Sequence, residues 1–180
     1  MVGLSCGGLP VACRVAEALG APLDVIVVRK LALPSDPEFG IGAISEDGVI
    51  VFNDEVDHDS LPPDQVSSAI NHELQVLRRR VTRIRTMRPA VSLQGRMVMV
   101  VDDGLATGVS ARAACRVARH RGAKSVVLAV PVAPLGWREA LLHDADDFQA
   151  AIEAPECSAV GQFYDSFPQL TDEDVQRCLI

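Results

Sequence analysis

A layered α/β fold, a mainly parallel sheet with helices on both faces, is what this sequence predicts, and three observations predict it. The runs Asp24 to Val28, Met97–Val101 and Ser125–Val132 are β-branched or aliphatic almost throughout instead of alternating, as in strands buried on both faces. Before and between them lie Val11–Leu19, the stretch after Pro62-Pro63 and Ser110–Arg121, with apolar residues at three- and four-residue steps. Strands alternating with helices along one chain imply parallel neighbours joined by helical crossovers.

From the N-terminus, Met1–Ser5 reads as a short strand entering a turn at Gly7-Gly8, and the next helix stops at Gly20. The strand from Asp24 ends at Arg29-Lys30. Ile41–Phe52 holds two alternating runs about Glu46-Asp47-Gly48, a hairpin projecting from the body. Pro62-Pro63 opens a long helix with the stripe Val66, Ile70, Leu74, Leu77, Val81 and Ile84; its other faces carry Arg78, Arg79, Arg80, Arg83, Arg85 and Arg88. Gly122 closes the helix from Ser110, Trp137–Asp144 is read as a further helix and Phe148–Ile152 as a further strand. Thr171 to Asp174 caps a short terminal helix. No repeat or linker divides the chain, so one domain over 1–180 is expected, Rossmann-like, with a small hairpin hood or flap over about 36–62 and a C-terminal tail over 154–180.

A length of 180 residues suits one medium core, and 48% apolar residues in short, interrupted runs describe a globular chain with no stretch long enough to span a membrane. A net charge of −7 argues against nucleic acid as the main partner. The five cysteines, Cys6, Cys13, Cys115, Cys157 and Cys178, are scattered without C-x-x-C spacing, and the four histidines are equally dispersed. That pattern points to reduced thiols in a cytoplasm and away from a disulfide framework or a zinc site. No basic, apolar leader precedes "MVGLSCGGLPVA", which gives the same expectation of a cytoplasmic protein.

Ligands of open parallel sheets bind beyond the carboxyl ends of the strands. Three such ends carry unusual residues: Cys6-Gly7-Gly8, Arg29-Lys30 and Asp102-Asp103-Gly104. At the third, Gly104 and Gly108 permit close approach, Thr107 and Ser110 offer hydroxyls, and the amides opening the next helix suit a phosphate monoester. Two acids beside a phosphate are reconciled if they accept hydrogen bonds from the vicinal hydroxyls of a sugar bearing that phosphate, a ribose 5-phosphate. The plainer alternative is a strand-to-helix turn with an aspartate cap.

"VMVVDDGLATGVS" resembles the phosphoribosyl pyrophosphate signature of the type I phosphoribosyltransferases, and the order of elements is similar from Gly3 to the C-terminus. The resemblance implies that fold and a transferase that moves phosphoribosyl from 5-phosphoribosyl 1-pyrophosphate to a nitrogenous base. It implies that Asp102 and Asp103 bind the ribose hydroxyls and that Gly104, Leu105, Ala106, Thr107, Gly108 and Ser110 cradle the 5-phosphate. Gly7 and Gly8 would form the pyrophosphate loop, with Lys30 and Arg29 as its basic partners, so that Asp102, Asp103 and Lys30 are the catalytic candidates. Magnesium would bridge sugar and pyrophosphate with no direct protein ligand assigned, and a homodimer is expected. "GLPVACRVAEALGAPLDVIVVRKL" is similar to a narrower bacterial group, sometimes fused to a hydrolase. That group usually has an arginine in place of Cys6 and an extra helix before the first strand. Either the first strand is clipped or affinity for the leaving group has been lost. Enzymes for 6-oxopurines usually carry an acid where this chain has Ala106, which points away from hypoxanthine and guanine.

Displacing pyrophosphate through an oxocarbenium-like state requires water to be excluded, and the hairpin Ile41–Phe52 with the loop that follows it is the candidate lid or hood, with a structural flap or dimer contact as its alternative. Phe163 and Tyr164 are candidates to stack on a base or to fill the core. The rival reading is a non-catalytic, nucleotide-sensing regulator of the same fold whose arginine helix meets nucleic acid. Its weakness is 4% aromatic content, which leaves few stacking platforms. Dinucleotide and P-loop sites are excluded by the absence of G-x-G-x-x-G and of G-K-S or G-K-T.

Overall fold

A computed structural model of the chain describes residues 1–180 except 5, 6, 156, 158, 169, 170 and 180; Cys6 therefore lies outside the described residues. The elements follow as β1 (Val2–Leu4), α1 (Gly8–Leu19), β2 (Asp24–Ile26), β3 (Val28–Leu33), β4 (Asp36–Ser45) and β5 (Ile50–Phe52). Then come α2 (Pro63–Met87), β6 (Met97–Val101), α3 (Val109–His120), β7 (Ser125–Pro134), β8 (Asp147–Ala154) and α4 (Asp172–Leu179).

Five strands form a parallel sheet in the order β2-β1-β6-β7-β8, with Val2 opposite both Asp24 and Val100. The apolar runs explain it, since Val25, Ile26, Val98, Val100, Val126 and Leu128 are all buried. One face packs on α3 through Ala114 and Val117. On the other, Leu9, Ala12, Leu77, Val175 and Leu179 of α1, α2 and α4 share a second core. The chain leaves β1 for β2 on one side and returns as β6 on the other, so strand order reverses between β1 and β6. A crevice opens at their carboxyl ends.

The run from Asp24 corrects the expectation of one strand ending at Arg29-Lys30. It breaks at Val27: β2 joins the parallel sheet, and β3 starts an antiparallel sheet in the order β3-β4-β5. Arg29 and Lys30 thus lie within β3, opposite Ile44 and Ala43. The predicted hairpin about Glu46-Asp47-Gly48 forms as β4 and β5, and its turn is anchored on the residue after α3. Asp47 accepts from Nε and Nη2 of Arg121 at 2.8 and 2.6 Å. The Glu46 side chain, 3% exposed, lies 2.9 Å from Arg121 and 3.7 Å from Arg85. Burial pushes the Glu46 carboxyl up, and the two guanidiniums oppose the shift. Arg121 follows α3, so the turn is fixed about 18 Å from the start of that helix, the end that follows the acid pair.

Along α2 the predicted stripe faces the core, with Leu77 and Ile84 buried and Arg78, Arg79 and Arg83 exposed. Arg85 instead turns inward to buried Asp24, at 2.6 Å, and to the carbonyl of Val25. The helix expected over Trp137–Asp144 is only a 3-10 turn, Glu139–Leu141. Eight residues make a marginal helix. Asp144 is drawn onto α3 by Arg112 and Arg116, and Trp137 is buried edge-on against Phe148.

Candidate active site

The β1–β6 crevice brings together two of the three predicted strand ends, the Gly7-Gly8 turn and the Asp102–Ser110 loop. Their contact explains both glycines. A Cβ on Gly7 would lie 1.4 Å from Oδ2 of Asp103, and one on Gly8 would lie 2.7 Å from both the Cα of Asp102 and the carbonyl oxygen of Val101. Bare backbone is what lets α1 begin against the acids.

The loop is tied down from three directions. The Asp103 amide donates to Oδ1 of Asp102 at 2.9 Å, and the Leu105 amide donates to the Val132 carbonyl at 2.9 Å. From the C-terminal tail, the Tyr164 hydroxyl donates to the carbonyl oxygen of Asp103 at 2.6 Å. Gly108, at φ 72°, makes the left-handed bend that starts α3, and no side chain caps that helix. The first bond of the helix runs from the Arg112 amide to the Gly108 carbonyl. The amides at the start of the helix lack intrahelical partners and carry its partial positive charge. They border a cavity of about 210 Å³ with Asp102, Asp103, Thr107, Ser110 and Val160 in its wall.

Asp102 and Asp103 are half-buried side by side, and neither meets a cation among the described residues. Burial first, and then the neighbouring Asp103, push the Asp102 carboxyl up to about 8. Burial raises Asp103 as well, while hydrogen bonds from Asp102 and from the loop amides oppose it. Without a ligand the pair holds a proton; a hydroxyl donor or a cation brought into the crevice would release it. Among the described residues no group of three or more His, Cys, Asp or Glu is placed to hold a metal.

Arg29 and Lys30 line a separate, larger groove of about 500 Å³ between β3 and α2. Nε of Arg29 donates to Oε2 of Glu73 at 2.7 Å, and the Glu73 side chain is only 14% exposed. The structure therefore does not bring these two residues to the acid pair. Tyr164, weighed as a stacking platform, points its hydroxyl at the acid loop and packs on Phe167. Val160, which contacts the Cβ position of Gly104, was not singled out by the sequence. Nothing in a lone valine could have signalled it.

A doubly wound parallel sheet with a crevice at its switch point is the α/β class in which ligands bind beyond the carboxyl ends of the strands. The phosphoribosyl transferase domain model matches residues 1–157, and the chain belongs to that family. Two proteins from strains of Mycobacterium tuberculosis, each named "Putative phosphoribosyl transferase", are 45% identical over 176 residues. The match covers 97% of this chain and 40% of theirs, so the chain spans well under half the length of these relatives. An adenine phosphoribosyltransferase of Kineococcus radiotolerans is 55% identical over 49 residues, 26% of each chain. The crystal structure of TT1426 from Thermus thermophilus superposes with TM-score 0.78 at 39% identity, covering 99% of this chain and 85% of that one. The α/β architecture is that of this family. No helix among the described residues is long and apolar enough to cross a membrane.

Proposed function

We propose that the chain binds 5-phosphoribosyl 1-pyrophosphate in the β1–β6 crevice and transfers its phosphoribosyl group to a nitrogenous base, releasing pyrophosphate. The observation that carries this reading is the acid pair, half-buried without a cation and walled by glycine backbone, at the mouth of an uncapped helix. Such a pair is costly to ionise unless a ligand compensates it, and a ribose diol with an accompanying cation does so.

In this reading Asp102 and Asp103 accept hydrogen bonds from the ribose hydroxyls. The amides of the Ala106 to Ser110 loop hold the 5-phosphate, the Leu105 amide being bound to the Val132 carbonyl, and the start of α1 at Gly7-Gly8 faces the leaving group. As the anomeric C–O bond to pyrophosphate breaks, the base nitrogen supplies the pair for the new C–N bond. The two fixed carboxylates stabilise the positive charge that develops on the sugar. Magnesium, when bound, would neutralise pyrophosphate charge, and the carboxylate oxygens of Asp102 and Asp103 are the hard donors in this crevice that suit it. With fewer than three such side chains grouped, its other ligands would be substrate oxygens and water. Ala106 is exposed and has no proton to exchange, so the loop gives no acid to a 6-oxopurine acceptor.

Calorimetry with phosphoribosyl pyrophosphate and magnesium, followed by pyrophosphate release across a panel of bases, tests the proposal. Saturable, magnesium-dependent binding with release on at least one base is expected. Absence of binding would overturn the reading, and binding without release on any base would transfer it to a non-catalytic sensor of the same ligand.

A further inference from the structure

The loop assigned to the 5-phosphate has open space on both of its sides. Leu105, Ala106, Thr107 and Gly108 line the acid-pair cavity and also a second cavity of about 220 Å³, which Trp137 and Leu141 border. Ala106 and Thr107 are exposed, and a Cβ on Gly108 would meet nothing closer than the Leu141 methyls, at 3.8 Å. Buried Val109 and Ala111 seat the helix on the sheet, but comparable packing does not hold the loop before it.

Arg112 stands behind that loop. Its amide donates to the Gly108 carbonyl at 2.9 Å and closes the first turn of α3. Its largely buried side chain reaches two acids from separate parts of the chain: Nη1 donates to Oδ2 of Asp54 at 2.5 Å, and Nε donates to Oδ2 of Asp144 at 3.2 Å. Asp54 follows β5 of the antiparallel sheet. Asp144 precedes β8, is buried, and also accepts from Nε of Arg116 at 2.5 Å. One residue thus joins the turn that begins α3 to the antiparallel sheet and to the β7–β8 connection. A planar guanidinium holds two acids at a fixed angle; an ammonium on a flexible stem does not.

We propose, resting on the phosphoribosyl reading, that Arg112 is a positioning residue for the 5-phosphate, its bridge from Asp144 to Asp54 setting the direction of the loop amides. Arg112 lines the second cavity and not the first, so it acts on the ligand through the loop. Amides hold a phosphate only when several point at it together, and a brace made before the ligand arrives spares the cost of ordering them. Positioning and plain electrostatics predict opposite signs at Asp54. Removing an acid near an anion site raises the local positive potential and, by charge alone, tightens anion binding. Removing a brace weakens it.

Calorimetry of the full chain with ribose 5-phosphate, on wild type, Asp54→Ala, Arg112→Lys and Arg112→Met, decides between the two, with melting temperature followed in parallel. The Asp54 side chain is 73% exposed, so its removal should shift melting by no more than a few degrees. The expected result is binding about three- to tenfold weaker in Asp54→Ala and at least about tenfold weaker in Arg112→Met, with only part of that loss recovered in Arg112→Lys. Arg112→Met leaves buried Asp144 to Arg116, and should that variant fold poorly, Asp54→Ala carries the test. Unchanged or tighter binding in Asp54→Ala, or full affinity in Arg112→Lys, would overturn the positioning role. Wild-type protein that binds no ribose 5-phosphate would overturn the phosphoribosyl reading and this role with it, whereas wild-type binding beside an unaffected Asp54→Ala would remove the brace alone.

Discussion

Replacing Gly7 by alanine separates the conformational role of the β1–α1 turn from its part in the site. Gly7 has φ −71° and ψ −40°, an ordinary helical backbone, so alanine adopts it without strain. Leading into a helix, it gains up to about 1 kcal/mol over glycine. The added Cβ, however, would fall 1.4 Å from Oδ2 and 2.4 Å from Cγ of Asp103, with Cβ of Asp103 at 3.1 Å. Contact distance is about 3.5 Å, so the carboxyl must move by roughly 2 Å. It sits at the end of a side chain and can do so by changing rotamer, leaving the crevice. Losing a hydrogen bond to a charged acceptor costs about 1.5–3 kcal/mol, on the order of 10- to 100-fold in Kd. Gly8→Ala is the control, because its Cβ meets the Asp102 Cα and the Val101 carbonyl, both at 2.7 Å, and backbone cannot swing aside. That variant should lose about 1–3 kcal/mol of stability through overpacking. Urea unfolding and calorimetry with phosphoribosyl pyrophosphate and magnesium read the two effects. Wild-type affinity in a stably folded Gly7→Ala protein would refute the assignment of Asp103 to the ligand.

Three further outcomes follow from the same contacts. The folded state holds the Asp102 proton up to about pH 8, against 3.8 for the free side chain, so its contribution to stability is full below about pH 4 and is lost as pH rises through 8. Asp102→Asn should flatten the urea midpoint across that window while binding the sugar phosphate at least about tenfold more weakly; an unchanged slope would remove Asp102 as its source. Tyr164→Phe deletes the bond to the Asp103 carbonyl and should cost about 1 kcal/mol, a few degrees in melting temperature, and about fivefold in affinity. A melting loss with no affinity loss would make the tyrosine purely structural. Arg121→Ala leaves Glu46 beside Arg85 alone and should cost about 3 kcal/mol, read by thermal unfolding.

The parallel core was legible because its strands are buried on both faces and therefore apolar throughout, as Val98, Val100 and Val101 are. Glycine and acids mark the strand ends that build the crevice for a related reason: close backbone approach and ligand polarity both leave a compositional trace. The break at Val27 left none, since Val28 and Leu31 are as apolar in the antiparallel sheet as Val25 and Ile26 are in the parallel one. Trp137–Asp144 has helical spacing, yet Asp144 is pulled onto Arg112 and Arg116, a tertiary ion pair that local pattern does not encode. The meeting of Tyr164 with Asp103 is long-range, and residue spacing carries no information about it.

The placement of Arg29 bears on where the charge opposing pyrophosphate comes from. Its guanidinium is committed to Glu73 across the β3–α2 groove, and withdrawing it would take a close cation from a largely buried carboxylate that also has His72 at 4.0 Å. The uncapped starts of α1 and α3 already supply positive potential at the crevice, and a metal ion carried by the substrate would add more. The geometry thus predicts that Arg29→Met loses about 0.5–1 kcal/mol of stability, the worth of a partly exposed ion pair, with little change in affinity for phosphoribosyl pyrophosphate. Unfolding and calorimetry at two salt concentrations decide the matter. A tenfold loss of affinity with a shallower salt dependence, in a protein of undiminished stability, would mean that Arg29 exchanges Glu73 for the ligand and that β3 moves toward the crevice when substrate arrives.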